Sequence, residues 1–164
     1  MRPVSARISI DAPRERVFDV LLDLAARPAF TDHFLTGFRL LRLESAGVGA
    51  GARFNARDGG GWLDSVIAEV EPSHRIVERG RGGRLNRMPA VTEWRLTDLP
   101  GPGGCEVEVT FWTEPSAPYD RLRDMRNSER RLAGDWRRAL SRLRDAVEGG
   151  GEVERVEVAG ASRI

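Results

Sequence analysis

The strongest constraint on this chain is a single amphipathic helix in its last third, following a long run of strand-like segments. Leu122, Met125, Leu132, Trp136, Leu140, Leu143 and Val147 recur at steps of three or four wherever one follows closely. That spacing puts apolar side chains on one face of a 3.6-residue repeat. Glu129 fills the gap between Met125 and Leu132 at the same phase, so it points the same way as the apolar residues. A lone helix laid on an antiparallel sheet either packs flat or encloses a cavity.

Ahead of it the period is two. Val4 to Asp11 alternates like a half-buried strand. Asp11 and Pro13, with Glu15 in the first turn, predict a helix through Val17, Phe18, Leu21, Leu22 and Ala25 that ends before Pro28. Ala29 to Leu35 predicts a second short helix closed by Gly37. Strands are then expected over 38–43, 52–57, 62–71, 75–79, 91–97 and 105–113, separated by Gly- and Pro-rich turns. Such regular turns indicate consecutive hairpins in an antiparallel meander.

With 164 residues and 40 % apolar content, one domain over 1–148 is expected, followed by a tail over 149–164 that is flexible or adds an edge strand. No apolar run is long enough to span a membrane, and the N-terminal residues lack the apolar core of a signal peptide. The single cysteine, Cys105, excludes an internal disulfide and fits a reducing cytoplasm. Every basic residue is an arginine, but the arginines are interleaved with acids and the net charge is only +1, so no nucleic-acid partner is expected. The densest basic stretch, Arg79 to Arg87, reads as a solvated hairpin tip.

The order is therefore strand, two short helices, about six strands, long helix: an α+β chain. On that order, on Ile8-Ser9-Ile10-Asp11-Ala12-Pro13-Arg14-Glu15-Arg16-Val17-Phe18, on Glu69-Val70-Glu71-Pro72-Ser73-His74-Arg75-Ile76-Val77 and on Val107-Glu108-Val109-Thr110-Phe111, the chain resembles the START/SRPBCC helix-grip superfamily, polyketide cyclase/dehydrase-like, over roughly residues 3–148. The resemblance implies a curved antiparallel β-sheet wrapped around the long C-terminal α-helix, with an apolar cavity between them. It implies no one activity, because that superfamily contains carriers, sensors and a few enzymes.

Obvious catalytic patterns are missing. Gly47-Val48-Gly49-Ala50-Gly51 precedes a strand, not the helix that a dinucleotide loop requires. His33 and His74 are isolated, so no metal site is expected, and no cofactor motif is present. The candidates are the groups a cavity would collect. Glu129 would bind a ligand hydroxyl or act as an acid/base if it faces the cavity; alternatively the first turns of the helix overhang the sheet and leave it in water or paired with Arg126. His33 lies with Phe30 and Phe34 in the short helix that, by the resemblance, borders the cavity mouth, where it would shuttle protons or simply pack. Asp64 is a buried acid if the strand parity of Trp62, Val66 and Ala68 faces inward, whereas a bulge near the Gly59-Gly60-Gly61 turn would expose it. Glu93 and Arg95 are expected outside, Trp94 and Leu96 inside. Phe54, Trp62, Trp94, Phe111 and Trp136 are spaced to wall the cavity, with Met125 and Leu132 on the helix, or else merely to fill a core.

The leading expectation is a binder of a small hydrophobic or aromatic molecule, lipid- or polyketide-like, in a cavity of roughly 300–1,000 Å³. The alternatives are a polyketide aromatase/cyclase or dehydrase-type enzyme using a cavity acid/base, and a ligand-free dimerisation module. Monomer and homodimer are both compatible with the sequence.

Overall fold

A computed structural model describes residues 2–56, 61–82, 88–101, 103–114 and 129–156. Seven strands form one antiparallel sheet: β1 (Val4–Ile10), β2 (Leu35–Leu40), β3 (Gly51–Ala56), β4 (Gly61–Glu71), β5 (Arg75–Gly82), β6 (Met88–Asp98) and β7 (Cys105–Thr113). Their spatial order is β1-β7-β6-β5-β4-β3-β2, a meander closed by the first strand adding beside the last. The sheet curls into a half-barrel. Helix α1 (Arg14–Leu22), a 3-10 turn (Leu24–Ala26) and α2 (Pro28–Thr31) link β1 to β2, and α3 (Glu129–Glu148) follows β7. Among the described residues no helix is long and apolar enough to cross a membrane.

Register decides which side chains meet on the concave face. Ile67 pairs with Glu78, Glu78 with Thr92 and Thr92 with Phe111, while Ile76 pairs with Trp94 and Trp94 with Val109. Because successive strand residues alternate faces, these rows stack Ile67, Ile76, Trp94, Val107 and Val109 into the core, all with zero exposure. Glu93 and Arg95 stand on the other face, as the strand parity predicts, and Glu93 there accepts from both Arg75 and Arg95.

Against this surface α3 lays Trp136, Ala139, Leu140, Leu143 and Val147, all buried. It packs chiefly on β1 and α2. The first turns expected for this helix, including Leu122, Met125 and Arg126, lie outside the described residues.

Two local expectations are corrected. The second short helix occupies Pro28–Thr31 instead of Ala29 to Leu35, with Pro28 at its first position and the 3-10 turn before it. There the Asp23 side chain accepts the Ala25 N–H, capping the 3-10 turn. Gly37 does not close a helix. It sits inside β2 at φ +62°, beside the register shift between Thr36 and Arg39, a left-handed bulge position that glycine adopts without strain.

The tail as far as Val156 adds no strand. Instead the Val156 N–H donates to the Ala25 carbonyl, and Arg155 pairs with Asp23.

Candidate functional site

The helix does not treat the sheet uniformly. Through Ala139, Leu140, Leu143 and Val147 it seals against its neighbours with almost no exposure. One to two turns earlier, Leu132 is half-buried, and Leu132 and Trp136 form the wall of a cavity. The opposite walls are Phe34, Leu35 and Phe38 at the start of β2, Ala52 and Phe54 on β3, Leu63 on β4, and Thr92 and Phe111 further round the sheet. Trp62, Met88 and Thr113 stand at its rim, where Trp62 is 44 % exposed.

The void measures about 110 Å³, below the 300–1,000 Å³ expected from sequence. The reason is aromatic filling. Trp136 meets Phe34 and Trp94 edge-on, with ring centroids 5.0 and 5.6 Å apart. Phe30 meets Trp94 in the same way at 6.4 Å. Edge-to-face packing of this kind is favourable in itself, so these rings occupy the middle of the curl and leave the space beyond them open.

One charged pair borders this otherwise apolar space. Arg27, between the 3-10 turn and α2, and Glu78, on β5, are each 3 % exposed. An Arg27 Nη1 lies 2.8 Å from Glu78 Oε1, which also accepts the Trp94 indole N–H at 2.8 Å. Ser65 donates its hydroxyl to Glu78 Oε2, also at 2.8 Å. The second Arg27 amine donates to the Leu21 carbonyl at 3.1 Å, tying down the end of α1. The guanidinium lies over the Trp94 ring, 4.8 Å from its centroid, a cation–π arrangement. Buried charge is tolerated only when paired and hydrogen-bonded in this way.

The sequence-predicted residues divide into three groups. Phe34, Phe54, Trp62, Phe111, Leu132 and Trp136 come together on the cavity. Phe30 and Trp94 are fully buried just behind its wall and act through Trp136 and Arg27. His33, Asp64 and Glu129 are not among the lining residues, and Met125 lies outside the described residues.

Each of the three titratable candidates has a definite position. Glu129 is exposed at the first described position of α3. Asp64 lies on the convex face, because the inward parity of β4 is Ser65 and Ile67, and it takes a bidentate pair from Arg53 at 2.5 and 2.8 Å. His33 bridges α2 to α3: its Nε2–H donates to the Asp135 carbonyl at 3.1 Å and its Nδ1 accepts from Arg142 at 3.3 Å. Burial holds its pKa below the usual histidine value, and the positive charges of Arg138 and Arg142 push the same way. Beside it, the hydrogen bond from Arg142 holds Asp32 below the usual carboxylate range. Elsewhere, burial raises the thiol pKa of Cys105, which is enclosed in the core.

Pattern reading missed Arg27 and Glu78. For Glu78 a signal existed, since it shares strand parity with Ile76. For Arg27 there was none, because a linker arginine before a proline resembles any solvated charge.

A curled sheet gripping a C-terminal helix, with an apolar cavity at the helix's N-terminal end, defines a helix-grip protein. Residues 1–148 match the family described as polyketide cyclase / dehydrase and lipid transport, and the chain belongs to that family. Among solved structures it is similar to the KanY protein, with 15 % identity over 90 % of this chain and 97 % of that one and a TM-score of 0.68. Protein CV1439 from Chromobacterium violaceum is 21 % identical over 89 % of this chain and 96 % of its own, at TM-score 0.64. DynU16, a putative protein in the dynemicin biosynthetic locus, is 20 % identical over 95 % of this chain but only 50 % of its own, at TM-score 0.62. At these identities the likeness is one of fold. No curated protein is significantly similar in sequence.

Proposed function

We propose that the protein binds a small hydrophobic or aromatic molecule in the cavity between the sheet and the start of α3. The observation that carries this reading is the hollow itself: aromatic and aliphatic walls around one self-neutralised ion pair, open at the rim beside Trp62. At about 110 Å³ the space is somewhat smaller than the engineered apolar cavities of about 150 Å³ that take up benzene. Because the hollow opens at its rim, one ring of a larger lipid- or polyketide-like ligand enters it and the remainder lies along the rim beside Trp62, Met88 and Thr113. Burial of apolar surface supplies affinity at about 25 cal/mol per Å² before ordering costs.

Binding without turnover is better supported than acid/base catalysis. Among the described lining residues the only ionisable side chains are Arg27 and Glu78, and Glu78 already accepts from three donors. Among the described lining residues no second acid or base stands beside Glu78 to share a proton transfer.

The test is a chemical-shift titration of isotope-labelled protein with toluene and naphthalene. Saturable shifts are expected at Ala52, Phe54, Phe111 and Trp136. Leu132→Trp, which fills the rim from a half-buried position, should abolish them while leaving the fold intact by circular dichroism. Absence of binding to the folded wild type, or unchanged binding to the variant, would contradict the proposal.

A further inference from the structure

His33 stands behind the cavity wall and ties two sides of it together. It lies in the turn between α2 and β2, beside Phe34, whose ring it meets at 4.9 Å, centroid to centroid. Phe34 lines the cavity and packs edge-on against Trp136 of α3, 5.0 Å away. Across the same seam, His33 Nε2 lies 3.1 Å from the carbonyl of Asp135, the residue before Trp136, and Nδ1 lies 3.3 Å from Arg142 Nη1. These partners fix the position of the proton. A carbonyl only accepts and a guanidinium only donates, so Nε2 carries the hydrogen and Nδ1 offers its lone pair. Only the neutral ring satisfies both contacts. A second proton has to enter at Nδ1, where it faces a donor.

The charges around the ring give that proton little support. From α3, Arg138 and Arg142 oppose it while Asp135 favours it. From the end of α2, Asp32 is already engaged by Arg142. Burial first, and then the two arginines, outweigh Asp135 and hold the ring below the usual histidine value. Should a protonated His33 draw Asp32 to itself, Arg142 would lose that partner as well. Either rearrangement loosens the tie between this turn and α3.

We infer that His33 is a pH-sensitive latch on the cavity: its protonation frees the Trp136 turn of α3 from the Phe34 segment and weakens the hold on the guest. The inference rests on the reading of the cavity as a ligand site and adds its regulation. A guest packed against Phe34, Leu132 and Trp136 favours the closed seam, and therefore the neutral ring. Linkage then requires that proton uptake weaken binding by the same factor by which binding opposes protonation. His74, the only other histidine, is exposed in the β4–β5 turn, at the opposite end of β4 from the wall residues Gly61, Trp62 and Leu63. It is too remote to produce the effect.

The test is a chemical-shift titration of the full chain with naphthalene at about pH 8 and about pH 5, the span in which histidine changes charge, with the fold followed by circular dichroism. Wild type should bind about fivefold more weakly, or worse, at the lower pH. His33→Gln keeps a neutral side chain with a donor and an acceptor at every pH, so its affinity should be the same at both. In parallel, the His33 imidazole resonances of wild type should titrate with a midpoint that naphthalene moves to lower pH. This readout decides the matter should the variant fail to fold.

Affinity independent of pH in wild type, or a His33 midpoint that naphthalene leaves in place, would overturn the latch and leave the cavity as a ligand site. Acid-weakened binding that persists in His33→Gln would overturn the assignment to His33. Absence of naphthalene binding at the higher pH would remove the ligand-site reading itself.

Discussion

Replacing Arg27 by methionine removes a buried cation and leaves the Glu78 carboxylate 3 % exposed with only the neutral donors of Trp94 and Ser65. Breaking one side of a buried pair typically costs about 3–5 kcal/mol, because the surviving charge keeps its desolvation penalty. The hydrogen bond to the Leu21 carbonyl goes too, so the upper half of that range is expected. For a chain of 164 residues, each kcal/mol lowers the melting temperature by about 2–4 °C, giving a fall of roughly 8–20 °C. Glu78→Gln strands the guanidinium instead, with the Trp94 ring face as partial compensation, and should cost about 2–4 kcal/mol. The double variant carries no buried charge. Its glutamine still accepts from Trp94 and can donate to Ser65, so it should lose only about 1–2 kcal/mol, less than either single change. Urea unfolding followed by circular dichroism gives the double-mutant cycle directly, provided the denaturant slope is unchanged. A loss below about 1 kcal/mol for Arg27→Met, or simple additivity in the double variant, would refute the claim that the two charges depend on one another.

Protonation of His33 gives a second expectation. Because burial and the neighbouring arginines depress its pKa in the folded state, folding favours the neutral ring. The associated stability is complete above the unfolded value of 6.5 and is lost as pH falls through the lower folded value. Urea midpoints should therefore decline between pH 6.5 and the ordinary carboxylate value of 4.5. His33→Gln should flatten that part of the profile, whereas an equally steep profile in the variant would rule His33 out. Glycine substitutions should move stability in opposite directions. A Cβ on Gly80 would stand 2.2 Å from the Asp64 backbone carbonyl oxygen, so Gly80→Ala should lose about 1–3 kcal/mol or more. A Cβ on Gly134, inside α3, meets nothing within 4 Å, so Gly134→Ala should gain about 0.5–1 kcal/mol. Thermal unfolding of the two variants side by side reads both signs.

Strand and helix identities were legible in the sequence because the meander places one face of each strand against a single core. The alternation of Val107 and Val109 and the helical spacing of Leu140, Leu143 and Val147 report that core directly, and all five side chains are buried. Local departures from regularity escaped the pattern. The bulge at Gly37 shifts β2, and the irregularity between Ile67 and Glu69 changes which residues of β4 face inward. The position of Asp64 followed from such detail: its partner Arg53 on β3 fixes the convex face, and only the register shows it.

The cavity depends on a finer balance than periodicity can express. Trp94 and Trp136 were recognisable as inward-facing, yet inward aromatics either wall a hollow or fill one, depending on their rotamers and on strand curvature. Here they do both. Stacked edge to face between Phe30 and Phe34, they consume most of the available volume and leave the remainder beyond the Trp136 ring. The acid with the most conspicuous sequence position, Glu129, is exposed, while Glu78, embedded in an ordinary strand, carries the buried charge. A helix-phase argument assumes that the helix stays over the sheet, and that assumption does not hold for the exposed turn Glu129–Arg131. Strand parity makes no such assumption when both neighbouring strands are paired. Parity with Ile76 therefore locates Glu78 correctly, and its inward position requires a buried cation, which the chain supplies as Arg27.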